Sequence, residues 1–299
     1  MPYFSTRSHE CVTASQAILK GLSNSGGLYC PVLFPQLDND FIKKLCSMNY
    51  LERAAEILFL LLDDYEKSEI IDIVNQAYNE SKFDDSRIAP LKELNAQTYM
   101  LELHHGPTAA FKDMALQVLP HLLKYATNKN KEDRSIEILV ATSGDTGKAA
   151  LEGFKNIEGI GCTVFYPEDG VSDIQKLQMV TSEGRNVRVI GIYGNFDDTQ
   201  TGVKNIFNNV DLNKRLNEKG YILSSANSIN LGRLLPQVVY YISAYADLLN
   251  MEKIKLGDKI NFVVPTGNFG NILAAYYAKK MGLPIKKLIC ASNANNILT

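Results

Sequence analysis

From Tyr99 onward the chain alternates short apolar runs with longer stretches of helical spacing, and this alternation restricts its fold more than any other feature. Runs at 99–103, 136–141, 161–166, 187–192, 221–224 and 260–264 read as strands, and helical patterns fill most of the gaps. Parallel strands need a crossover long enough to hold a helix, so the pattern predicts an α/β fold with a largely parallel sheet. A further strand is expected at 287–291. Pro120 falls inside the helical pattern that starts near Thr108, where its ring and missing N–H predict a kink or break. Ser172 and Gln175 have the spacing of a capping box for the helix after Pro167.

Residues 1 to about 80 read as a mostly helical unit. Asn49 can cap a helix that gathers Leu51, Ala54, Ala55, Leu58, Leu61 and Leu62 on one face. Ser68 can cap another carrying Ile70, Ile73, Val74, Ala77 and Tyr78. The run from Gly21 to Pro35 has turn formers at most steps and is expected to be loop. The polar segment 81–90 ends in Pro90 and marks a boundary between a small domain over 1–85 and an α/β region over 86–299.

Composition narrows the partners. Lys and Arg number 31 against 33 acids, a net charge of −2, so no electrostatic footprint for nucleic acid or a membrane surface is present. A small molecule is the expected partner. The five cysteines, Cys11, Cys30, Cys46, Cys162 and Cys290, show no CxxC spacing, which fits reduced thiols in a cytosol and no zinc site. The N-terminal residues lack a basic region followed by an apolar run, so no signal peptide is expected. The longest apolar-rich segment, 228–249, carries Asn230, Arg233, Gln237 and Asp247 and is expected to be a buried helix rather than a membrane span.

In parallel sheets ligands sit beyond the carboxyl ends of strands, in loops that lead into helices. Three such loops stand out. The first runs from Glu102 to Asp113, with a turn at Gly106-Pro107, Thr108 as N-cap and Lys112 one turn into a helix. First turns favour acids, and the positive end of a helix dipole with partial burial lowers a lysine pKa toward the nucleophilic neutral amine. A solvated lysine beside Asp113 is the plain alternative. The second loop, Ala141-Thr-Ser-Gly-Asp-Thr-Gly-Lys148, follows the 136–141 strand. It departs from a P-loop, which would need Gly at 142 and a hydroxyl at 149, where Thr142 and Ala149 stand. What remains is a hydroxyl- and glycine-rich helix start suited to a carboxylate or phosphate, or simply a well-capped helix. The third, Pro265-Thr-Gly-Asn-Phe-Gly-Asn271, pairs two glycines at a helix start, either an anion cradle or a connecting turn.

A fourth segment, 224–233, crowds serines and asparagines before Arg233, whose guanidinium could clamp an anion. His104 and His105 are consecutive, and on a strand such neighbours point to opposite faces, so a shared metal is not expected.

A lysine near a helix start, a hydroxyl-rich loop and a glycine-rich loop together describe a site for pyridoxal phosphate and an amino acid. HHGPTAAFKD over 104–113, TSGDTG over 142–147, SSANSINLGRLLPQ over 224–237 and PTGNFGN over 265–271 resemble threonine synthase, a fold-type II pyridoxal-phosphate enzyme. The opening STR and GLSNSGGLYCP at 21–31 resemble that family's N-terminal domain. The resemblance implies that Lys112 forms the Schiff base with the cofactor and later acts as acid and base. It implies that Gly267, Asn268, Phe269, Gly270 and Asn271 cradle the cofactor phosphate. Ser143, Gly144, Asp145, Thr146 and Gly147 would hold the substrate carboxylate. Asn227, Asn230 and Arg233 would line the substrate side, with Arg233 facing an anionic group of O-phosphohomoserine. The implied reaction converts that substrate and water to threonine and phosphate, in a cytoplasmic monomer or homodimer without a metal. Threonine synthases continue beyond the point matched by residue 299, so the resemblance also raises an expectation of incomplete activity. The alternatives are a serine or threonine dehydratase-like enzyme of the same fold type, or an inactive pyridoxal-phosphate-binding remnant.

Overall fold

The computed structural model describes residues 1–23 and 25–294; Asn24, within the 21–31 run, and the stretch 295–299 lie outside the described residues. The N-terminal part contains β1 (Tyr3–Ser5), β2 (Cys11–Val12), α1 (Ala14–Lys20), β3 (Tyr29–Pro31), α2 (Asn39–Cys46), α3 (Tyr50–Leu61) and α4 (Lys67–Ala77). Next come β4 (Leu91–Asn95), β5 (Thr98–Leu101), α5 (Asp113–Leu116) and α6 (Leu119–Lys129). The α/β alternation follows with β6 (Ser135–Ala141), α7 (Asp145–Phe154), β7 (Ile160–Pro167), α8 (Asp173–Val180) and β8 (Val187–Ile192). It continues through α9 (Phe196–Asn208), α10 (Val210–Glu218), β9 (Tyr221–Ser225) and α11 (Leu231–Asn250). It closes with β10 (Ile260–Pro265), α12 (Gly270–Lys280) and β11 (Ile285–Ala291).

Four strands form a parallel sheet in the order β8-β7-β6-β9, and β10 and β11 pair in parallel as a separate two-stranded sheet. The main sheet reverses direction of growth at β6, where Ile136 pairs with Ile160 on one side and Ile222 on the other. That reversal is the switch point at which such sheets bind ligands, and the loop it exposes is 142–147. Five of the seven β6 residues are buried, because helices cover both faces of a parallel sheet.

Helix α11 is the axis of the molecule. From Leu231 to Ala246 every residue is buried, so it is covered on all sides, with Arg233, Gln237 and Ser243 as its buried polar residues. Arg53 of α3 pins it: the guanidinium donates to Asp247 at 2.5 Å, to the Ser243 hydroxyl at 2.9 Å and to the Leu45 carbonyl at 2.8 Å. One apolar core runs without a break from Tyr3 through α3, α4 and α11 to Ile285. No helix among the described residues is long and apolar enough to cross a membrane.

Several local expectations are corrected. The 99–103 run is β5, paired antiparallel with β4 outside the parallel sheet. The Gly21 to Pro35 stretch is not all loop, since Tyr29–Pro31 joins β1 and β2 in a three-stranded antiparallel sheet. Glu66, not Ser68, caps α4, because the Glu69 carboxylate accepts the Glu66 N–H at 2.7 Å and closes a capping box two residues earlier. At α8 the Ser172 hydroxyl accepts the Gln175 N–H, but the Gln175 amide leaves the box and donates to Asp145 at 2.7 Å. Pro120 does break the helical pattern: α5 ends at Leu116 and α6 begins at Leu119 with the proline in its first turn.

Candidate active site

Lys112 is placed by its neighbour. Asp113 is fully buried, and its carboxylate accepts the Thr108 N–H at 2.8 Å and the Thr108 hydroxyl at 2.7 Å. Lys148 reaches over from α7 to the Thr108 carbonyl at 2.8 Å, fixing the turn from outside. Thr108 is therefore not an N-cap, and Lys112 does not lie one turn into a helix. The carboxylate of Asp113 closes residues 108–113 as a compact turn, and Lys112 itself takes the N-cap position of the four-residue α5.

The amine of Lys112 stands 3.2 Å from an Asp145 oxygen and 4.6 Å from the centre of the Phe111 ring. Burial lowers its pKa below the ordinary lysine value; Asp145 opposes that shift, and Arg233 and Lys148 add to it. For Asp145, burial alone would raise the pKa, but Lys112, the Gln175 amide and Lys148 outweigh it and hold the carboxyl below its usual range. The result is a lysine with more neutral amine than an exposed one, beside an ionised carboxylate.

The 142–147 loop is closed on itself. Buried Thr142 accepts the N–H groups of Gly144 at 3.0 Å and Gly147 at 2.9 Å through its hydroxyl. The 266–271 loop is the opposite. Among the described residues, no protein acceptor is found for the backbone N–H groups of residues 267–271. Phe269 takes a left-handed conformation at φ 60, directly before α12. Asn271 is held from behind, its side-chain oxygen accepting the hydroxyls of Tyr240 and Tyr241 from α11.

These elements enclose a cavity of about 490 Å³ lined by Lys112, Ser143, Asp145, Thr146, Arg233 and residues 265–272, with Leu103, Phe111, Gln175, Ser228, Gln237 and Cys290. A larger cavity, about 1030 Å³, lies around Arg53, Arg87 and Asp247, away from Lys112. The smaller one carries the chemistry, because it alone gathers the perturbed lysine, the open N–H groups and an unpaired cation. That cation is Arg233, 4% exposed, donating to the Ala226 carbonyl at 2.8 Å and the Thr146 hydroxyl at 3.3 Å. It has no carboxylate partner within ion-pair distance among the described residues, and burial lowers its pKa only to about 10, so it stays charged at neutral pH. A buried charge without a counter-charge is costly, so the cavity is built for an anion.

Not every expected residue reaches the cavity. Gly144 and Gly147 stand behind its wall, Gly144 against Gln175 and Gly147 against Thr142, Val164 and Met179. Asn227 is also outside the lining, its amide 3.5 Å from the Ala141 carbonyl. Asn230 is fully buried and caps α11, accepting the Gly232 N–H at 2.8 Å and donating to the carbonyls of Ile18 and Ser225. Its side chain ties α1, the end of β9 and the start of α11 together, which corrects its expected place on the substrate side.

Sequence reasoning passed over Asp113, Gln175, Ser228 and Gln237. Gln237 had a signal, lying four residues after Arg233 on the same helical face. The histidine expectation rested on strand alternation, but β5 ends at Leu101. Past that end the two rings stack side by side, centroids 4.6 Å apart at 28°.

Comparison with known proteins places the chain in a family. The family described as "Pyridoxal-phosphate dependent enzyme" matches residues 86–298, and "Threonine synthase N terminus" matches residues 2–78. The chain belongs to the pyridoxal-phosphate-dependent enzymes. Within them it falls in the threonine synthase family. It is 46% identical to human "Threonine synthase-like 1" over 95% of this chain and 39% of that protein. It is 40% identical to the threonine synthase of Schizosaccharomyces pombe over 99% of this chain and 57% of that one. Among solved structures, pyridoxal-phosphate-bound threonine synthase from Brucella melitensis superposes with a TM-score of 0.88 at 38% identity, covering 100% of this chain and 62% of that one. The chain thus spans between 39% and 62% of these relatives.

Proposed function

We propose that the protein binds pyridoxal 5'-phosphate through Lys112 and the 266–271 loop, and acts as a carbon–oxygen lyase on O-phosphohomoserine, with threonine and phosphate as products. The observation that carries this reading is the meeting, in one cavity, of a lysine with a lowered pKa, a loop of open N–H groups and the unpaired Arg233. The residues fit the cofactor: no atom lies within 4 Å of where a Cβ on Gly267 would stand, so the backbone there is open to a phosphate. When bound, pyridoxal phosphate supplies a carbonyl that condenses with an amine and a ring that stores the electrons left by deprotonation.

The chain's own residues then have defined tasks. Lys112 takes protons from the α and then the β carbon of the substrate, since its neutral amine is favoured by burial and few other titratable groups line the cavity. Asp145, ionised and held by Gln175, positions that amine. Ser143 and Thr146 face the cavity from the start of α7, where N–H groups and hydroxyls suit a substrate carboxylate. Arg233 faces the anionic group that leaves as phosphate. Cleavage of the γ carbon–oxygen bond releases phosphate; return of one proton to the γ carbon, addition of water at the β carbon and return of the other proton to the α carbon then yield threonine. The division into 1–85 and 86–299, the cytoplasmic setting suggested by five free thiols, and a monomer or homodimer belong to the same reading.

The test is direct. The purified protein with pyridoxal phosphate is reduced with borohydride and mapped by peptide analysis, and threonine and phosphate are measured from O-phosphohomoserine. Label at Lys112, equal yields of the two products, and a loss exceeding about 10³-fold in Lys112→Ala with folding retained are expected. Label at another lysine overturns the site; pyruvate or 2-oxobutyrate from serine or threonine, without threonine formation, overturns the reaction.

A further inference from the structure

We infer that Glu102, His104 and His105 form a binding site for one divalent transition-metal ion of the zinc class, beside the catalytic cavity and separate from it. One ligand atom from each residue lies within 4.8 Å of the others. Only Leu103 of this stretch lines the cavity, so the cluster is independent of the proposed reaction.

One pair already has the spacing of metal ligands. His105 Nε2 stands 3.2 Å from Glu102 Oε2, and two ligands of a tetrahedral zinc at about 2.0–2.1 Å are roughly 3.3 Å apart. His105 is also oriented from behind, its Nδ1 lying 2.6 Å from Asp84 Oδ1. A proton on Nδ1 donating to Asp84 leaves the Nε2 lone pair facing the Glu102 oxygen, and two lone pairs repel unless a cation lies between them. A carboxylate behind a ligating histidine is the usual outer support of such sites.

A proton could be that cation. Burial disfavours it, but Asp84 and Glu102 outweigh burial and raise the His105 pKa. A proton gives no task to His104, however, whose exposed ring lies against His105 with one ligand atom within 4.8 Å of the other two, so that a rotation of this one exposed side chain turns it toward the ion. A metal ion uses all three. Two imidazoles and one carboxylate are borderline ligands, favouring zinc, cobalt or nickel over magnesium or calcium, and three protein ligands leave a fourth position for water. The neighbouring charges are Lys92, 4.0 Å from the other Glu102 oxygen, and the Asp85–Arg87 pair. Because the Asp84 N–H also donates to the His105 carbonyl at 3.1 Å, an ion here would tie the 79–90 segment to the strap that leads to Lys112.

The test uses metal-stripped protein titrated with Zn²⁺ by calorimetry and with Co²⁺ by visible absorption. One ion per chain at micromolar affinity or tighter is expected, with a cobalt spectrum of tetrahedral nitrogen and oxygen ligation and a rise in melting temperature. His104→Ala, at an exposed side chain, should keep the metal-free melting temperature and lose at least about tenfold in affinity. Asp84→Asn should weaken binding by roughly 10–100-fold. No binding at roughly millimolar Zn²⁺, unchanged affinity in His104→Ala, or a thiolate-to-cobalt band from one of the free cysteines would overturn the site.

Discussion

Two loops in this molecule carry glycines and lead from a strand into a helix, yet they have been finished differently. The 142–147 loop spends its N–H groups internally, two of them on the Thr142 hydroxyl, and packs its glycines against Gln175, Met179 and Val164. The 266–271 loop keeps its N–H groups open and leaves the Gly267 position bare. The closed loop also carries a carboxylate, Asp145, while the open one carries none. The difference teaches that a glycine-rich helix start is not one kind of site. In one loop glycine makes room for packing, and in the other it makes room for a ligand. This supports the assignment of the cofactor phosphate to residues 267–271 and of the substrate carboxylate to the Ser143 and Thr146 side.

Swapping one methyl group into each loop breaks or sharpens that contrast with the largest effect. In Gly147→Ala the new Cβ would stand 2.5 Å from Thr142 Cγ2 and 2.8 Å from both Val164 Cγ1 and Met179 Sδ. Two of these neighbours are stiff β-branched side chains, so overpacking should cost about 1–3 kcal/mol of stability, read from denaturant unfolding. In Gly267→Ala nothing is met, so stability should hold while pyridoxal-phosphate affinity falls on the order of tenfold, about 1.4 kcal/mol. The reverse pattern, a destabilised Gly267→Ala and a tolerant Gly147→Ala, would remove the basis of the contrast.

The carboxylate offers a smaller effect with a definite sign. Burial lowers the Lys112 pKa and Asp145 opposes it, so Asp145→Asn should lower it further. The rate at which Lys112 forms an adduct with pyridoxal should then shift its rise to lower pH. Stability follows the same direction. A lysine whose folded pKa lies below its unfolded value is protonated first in the unfolded chain as pH falls. Its contribution is therefore fully present above the unfolded value and is lost as pH falls through the folded one; the variant should widen that window downward. Asn268→Ala, in the open loop without an acid, should leave the pH profile in place. A profile that moves upward in Asp145→Asn would mean that Asp145 does not sustain the lysine charge.

How far these differences could be read beforehand depends on the range of the interactions. The strand–helix alternation gave the parallel sheet, since it rests on local periodicity, and Pro120 gave the break between α5 and α6 through backbone sterics alone. Short strands escaped. β4 is largely exposed and reads LKELN, with no alternation to betray it, and β3 lies inside a turn-rich run. In the site, Lys112 and Arg233 stood out because cations at helix starts are unusual, and Asp145 because it belongs to a hydroxyl- and glycine-rich loop after a strand; all three line the cavity. Asp113 did not stand out, because its burial depends on α7 and α11 closing around α5, and nothing near it in sequence signals that packing. Asn230 was misjudged for the same reason, since its partner Ile18 lies more than two hundred positions away.

Phe269 gives the smallest effect and the finest probe of the contrast. The closed loop assigns its unusual backbone angle, φ 143, to Gly144, whereas the open loop imposes φ 60 on Phe269, a residue with a Cβ. A left-handed conformation costs an L-residue roughly 1–2 kcal/mol, and glycine relieves it while losing about 0.5–1 kcal/mol through the freedom of the unfolded chain. The ring is 37% exposed, so the packing lost with it offsets part of that relief. Phe269→Gly should therefore raise stability by less than about 1 kcal/mol, a shift of roughly 2 °C in the unfolding midpoint. It should at the same time weaken pyridoxal-phosphate binding a few-fold, because a loop freed from its fixed turn must be ordered again on binding. Strain held in an open loop and released with loss of affinity is the signature of a pre-shaped anion site. A variant that is less stable and binds equally well would show instead that the Phe269 ring is a packing element, and that the 266–271 loop, like 142–147, is shaped by its neighbours rather than for a ligand.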